Sequence, residues 1–156
     1  MGFSGIFALL ISRKAGSSPY LDFAKCLLVF GVLYRVAAFV PEIQSGPFAL
    51  GWSEGSRFYN ASLFASESMY GSRLPLPVLH PSRYLMQALP FFVGIRSILF
   101  HRIWQVALWL GMTLWGSWLM AKRLNKSATV SLPWLTALFF LFFFQGAVYY
   151  HLMVCV

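Results

Sequence analysis

Glu54 stands in the stretch Gly51-Trp52-Ser53-Glu54-Gly55-Ser56-Arg57-Phe58-Tyr59, and Arg57, Arg73 and Arg83 follow it within one proline-containing segment. A carboxylate within hydrogen-bond reach of a hydroxyl can act as a general base. Guanidinium groups grip phosphate through two parallel hydrogen bonds. Glu54 is therefore the candidate catalytic base, and the arginines are groups able to hold a phosphate. Arg35, Arg57, Arg83, His80 and Trp52 are the candidate substrate-binding side chains. Each has a plainer reading. Glu54 at a helix start is stabilised by about 0.3–1 kcal/mol as a cap, and the arginines could contact anionic headgroups.

These residues lie between apolar runs. Of the 156 residues, 59% are hydrophobic and 10% charged, with a mean hydropathy of +0.69. Soluble domains carry about a quarter charged residues, so the composition is that of a membrane protein. The expected fold is all-α and polytopic, with three transmembrane helices at 21–41, 103–121 and 131–151. Residues 1–20 read as a cytoplasmic interfacial segment, 42–102 as an outer loop with short surface helices, and 122–130 as a cytoplasmic loop. The end at 152–156 reads as truncated before a further span. Within the outer loop, Ser56 to Tyr70 lacks proline and glycine and is followed by Gly71, which predicts a helix with its apolar side on the membrane surface. Ser53 or Ser56 would cap it. Three prolines between Leu74 and Pro81 predict an extended stretch. Ser82 to Leu89 predicts a second surface helix stopped by Pro90, and Phe91 to Phe100 should dip into the interface.

The balance of twelve basic to four acidic residues gives a net charge of +8. No dense basic run or nucleic-acid motif accompanies it, so it reads as topology rather than nucleic-acid binding. Arg13, Lys14, Lys25, Lys122, Arg123 and Lys126 fall on one side of the predicted spans, which is assigned to the cytoplasm. The opposing arginines lie in a loop of about sixty residues, a length at which the positive-inside rule weakens. Arg35, inside the first span, would cost a few kcal/mol unless it snorkels or pairs with Glu54 or a phosphate. Cys26 and Cys155 fall near opposite faces, too far apart for a disulfide.

An apolar span with an arginine near its outer end, then Trp52-Ser53-Glu54 and Tyr59, a surface helix and a Pro-rich turn resembles the N-terminal part of GT-C-type polytopic glycosyltransferases, the superfamily of dolichyl-phosphate-mannose–protein mannosyltransferases. The resemblance implies a polyprenyl-phosphate sugar donor, an inverting displacement with the lipid phosphate as leaving group, and Glu54 as the base. It also implies a bacterial inner-membrane location with residues 42–102 outside, no obligatory cofactor, and further transmembrane helices or another subunit as partners beside the bilayer. The family carries Asp-Glu where this chain has Ser53-Glu54, and more spans than the three read here.

Other signals are sparser. His80, His101 and His151 with Glu54 could hold a divalent metal, though their spacing is not that of a ligand set. Asn60-Ala61-Ser62 matches a glycosylation acceptor. Arg35 and Gln145 within spans suggest a transporter component as an alternative, and a non-enzymatic small membrane protein is a third reading.

Overall fold

The computed structural model describes residues 19–44, 54–79, 81–125 and 131–143. Expectations for residues 1–18, Trp52, Ser53, His80, Lys126, Gln145, His151 and Cys155 lie outside the described residues. All regular structure among the described residues is helical.

Helix α1 (Pro19–Ala37) begins with a proline, whose missing N–H costs nothing there. Asp22 in its first turn lies 3.6 Å from Lys25, three residues on, both half-buried. The helix pauses at Ala38 and resumes as α2 (Phe39–Gln44). Pro41 explains the pause, because it offers no N–H to the carbonyl of Ala37. Taken together, Tyr20–Pro41 has a mean hydropathy of 1.9 over its most apolar stretch. Among the described residues it is the one helix long and apolar enough to cross a membrane. The longest helix among the described residues, α6 (Ile98–Leu124), runs 27 residues, about 40 Å. Four tryptophans, Gln105, His101 and Arg102 make it less apolar. Helix α7 (Leu132–Phe143) has Pro133 in its first turn, and the Ser131 carbonyl accepts from Leu135 N–H at 3.2 Å.

Helix α7 packs along α6 and against α1. The Lys25 ammonium sits 5.9 Å from the Trp134 ring centre, and a Cβ on Gly31 would meet Leu141 Cδ1 at 3.0 Å. The two contacts advance together along both helices, so α1 and α7 run parallel. At the other end, Phe39 meets Trp109 edge to face at 5.4 Å. Lys25, Lys122 and Arg123 thus share one end of the bundle, and α2 marks the opposite end. An open apolar groove of about 580 Å³ runs between the three helices, from Trp118 to Val36.

The segment at that opposite end departs from expectation. The predicted helix over Ser56–Tyr70 is instead α3 (Glu54–Ser62), a 3-10 turn (Leu63–Ala65) and α4 (Ser66–Tyr70). Gly71 ends α4 at φ 72°, its N–H reaching Glu67 O at 3.1 Å. Ser66 Oγ accepts from Leu74 N–H at 3.2 Å, which turns the proline stretch back. Helix α5 (Pro81–Phe92) follows.

The apolar side of α3 does not face outward. Ala61 packs with Ala88 and Phe91 of α5, and Phe58, Phe64, Ala65 and Met69 close around them. Two alanines at the contact let the helices approach, and that contact takes the surface assigned to the membrane.

Helix α5 also runs through Pro90 rather than stopping there. Proline leaves the Met86 carbonyl without its helical donor. Trp104 of α6 supplies one, its indole N–H donating to Met86 O at 2.9 Å. Trp104→Phe keeps an aromatic, though smaller, side chain and removes that donor. It should lower stability by about 1–3 kcal/mol in a chemical unfolding experiment; no loss would mean that water substitutes freely.

Candidate functional site

Gly94, at φ 78°, ends α5 and reverses the chain so that α6 begins beside α3. His101 and Arg102 then fall on the first turns of α6, facing α3 and α2. Arg102 donates from Nε to Glu54 Oε1 at 2.6 Å and from Nη2 to Oε2 at 3.2 Å. Its Nη1 donates to the Ile43 carbonyl at 3.2 Å, near the end of α2, where helix carbonyls lack partners of their own. One guanidinium thus joins α2, α3 and α6.

The pair is buried, Glu54 being 2% exposed and Arg102 7%. Its hydrogen bond to Glu54 raises the Arg102 pKa above its ordinary value, against the opposing effect of burial. A buried pair gains little over an apolar replacement, but removing one partner strands the other charge. Glu54 is buried as well as paired, so an acceptor hydroxyl reaches it only if the surrounding contacts open.

His101 lies beside the pair, 2% exposed. Its ring meets Phe91 at 4.0 Å and Phe58 at 4.8 Å. Nε2 is 3.1 Å from the Ile95 carbonyl; a carbonyl only accepts, so Nε2 carries the proton. Burial lowers the His101 pKa, partly offset by the bond to Ile95. The unfolded chain takes up a proton near 6.5, where folded His101 still resists it. Stability from this residue is therefore complete above 6.5 and lost as the pH falls through that value toward the folded pKa. His101→Phe should flatten the acid limb of a urea-midpoint profile, whereas an unaltered limb would assign the acid sensitivity elsewhere.

The remaining predicted residues are more dispersed. Arg35 is half-buried in the last turn of α1, and the guanidinium that Glu54 takes is that of Arg102 instead. Arg57 is half-buried one turn after Glu54. Arg83 is half-buried in the first turn of α5, its guanidinium carbon 5.4 Å from the Tyr84 ring centre. Arg73 is exposed. No group of three or more His, Cys, Asp or Glu side chains gathers among the described residues. The Asn60-Ala61-Ser62 acceptor lies within α3, and Ser62 is wholly buried. Its hydroxyl donates to Tyr59 O and shares a hydrogen bond with Tyr70 Oη, both at 2.7 Å.

Sequence reading missed Arg102, which counted only as a loop charge. The available signal was an arginine directly before a long apolar run, where a charge needs a partner. The chain matches no family model, and neither a curated protein nor a solved structure matches it.

Proposed function

We propose that the chain is a polytopic integral membrane protein with residues 42–102 on the outer face of a bacterial inner membrane. We further propose that it acts as the N-terminal part of a glycosyltransferase using a polyprenyl-phosphate sugar donor. The observation that carries this reading is Glu54 on the first turn of α3, held by a guanidinium for which a phosphate competes directly. Phosphate offers the Arg102 fork the same two-point geometry as a carboxylate. When phosphate takes the fork, Glu54 is released to accept the proton of an acceptor hydroxyl. The acceptor oxygen then bonds to the anomeric carbon as the bond from that carbon to phosphate oxygen breaks. The phosphate leaves with the electron pair, held by arginine. The groove between α1, α6 and α7 offers apolar surface for the isoprenoid tail.

One observation favours a second reading. Full engagement of Glu54 in a buried pair is also what a purely structural clamp requires, and the chain is then a non-enzymatic membrane protein. Binding of a short-chain polyprenyl phosphate to the chain in lipid nanodiscs separates the two. Glu54→Gln weakens the competitor and should tighten binding, while Arg57→Gln and Arg83→Gln should weaken it. Absence of binding, or binding indifferent to all three changes, leaves the clamp.

A further inference from the structure

Helix α5 buries Tyr84, Ala88 and Phe91 at intervals of four and three residues, one stripe packed toward α3 and α6. The stripe one residue further on is Leu85, Leu89 and Phe92, and these are 46%, 48% and 52% exposed. A helix that packs on one side and meets water on the other carries polar residues there. This one does not. Just before it, Val78 is 93% and Leu79 72% exposed.

We infer that the outer stripe of α5 and the proline stretch before it are seated in the lipid interface, the occupant being the bilayer's own acyl-headgroup boundary. The inference rests on the membrane reading above and is independent of the glycosyltransferase reading. Three features select lipid over a protein partner. Exposed apolar side chains resume at the start of α6 with Leu99 and Ile103, 48% and 47% exposed. The first helix, long and apolar enough to cross a membrane, likewise exposes Leu27 and Leu33. The Leu74–Leu79 backbone has no helical hydrogen bonds, and unpaired N–H groups are not tolerated in hydrocarbon. Pro75 and Pro77 remove two of those donors, which suits the stretch to the boundary rather than the core. Finally, exposed cations border it, with Arg73 at the start of the stretch and Arg96 after α5, Arg96 anchored to Ser68 O at 3.0 Å. Arginines in that position meet anionic headgroups.

The test is nitroxide depth measurement on the full chain, in a Cys26→Ser, Cys155→Ser background, reconstituted in phosphatidylcholine–phosphatidylglycerol vesicles. Labels are attached after Leu89→Cys on α5, Leu33→Cys on α1 and Glu67→Cys on α4, all at exposed sites. Position 89 should collide with oxygen and exclude a water-soluble nickel chelate several-fold better than position 67, as position 33 does. If position 89 behaves like 67, the stripe is in water and the inference fails while the membrane reading stands. Shielding from both reagents means that protein covers it, which also overturns the inference. If position 33 itself behaves like 67, the membrane reading falls, and the inference with it.

Discussion

Arg102→Ala should destabilise the segment from α2 to α5 by about 3–5 kcal/mol, the range for stranding one member of a buried ion pair. Two effects add. Glu54 keeps its burial but loses both donors, and the Ile43 carbonyl loses its partner at the end of α2. Arg102→Lys should recover only part of the loss, because an ammonium cannot serve both carboxylate oxygens and the carbonyl in one plane. The double replacement Glu54→Leu with Arg102→Met should be far milder than either single loss, since no charge remains to strand. Hydrogen exchange of α3 in detergent or nanodiscs reads all of these. A double variant as damaging as Arg102→Ala would show that shape rather than charge matters at this place.

Phe91→Ala should cost about 3–5 kcal/mol, the usual penalty for emptying an aromatic site in a packed core. Phe91 is 2% exposed and meets Phe58 edge to face at 5.0 Å, as well as His101 at 4.0 Å. It therefore joins the α3–α5 contact to the start of α6. The same change opens His101 to water and weakens the desolvation that lowers its pKa. An NMR titration of the His101 ring should move upward in Phe91→Ala, provided the fold persists. Phe91→Leu retains most of the volume and should recover most of the stability. If the His101 titration does not move in either variant, its burial comes from elsewhere.

Local features were legible in the sequence where the cause is local. The apolar run from Leu21 defines α1, and proline chemistry explains its pause before Pro41. Gly71 takes a left-handed conformation at the end of α4 because only glycine does so without strain. What failed to read through was every feature decided by a distant residue. Pro90 looks like a helix stop until Trp104, from another helix, supplies the missing donor. The apolar side of α3 is visible as a pattern, but a pattern does not say whether lipid or α5 covers it. Glu54 and Arg102 are 48 residues apart, and nothing in their neighbourhoods marks them as partners. The acid was noticed for its chemistry and the arginine only for its charge.

The most direct measurement is a double-mutant cycle on Glu54→Gln and Arg102→Met, read as the opening free energy of α3 by hydrogen exchange. A pair that closes the fold across α2, α3 and α6 should show a coupling toward the upper part of the roughly 0.5–3 kcal/mol range for residues in contact. Single losses that add within about 0.3–0.5 kcal/mol would contradict it, because independent sites behave that way.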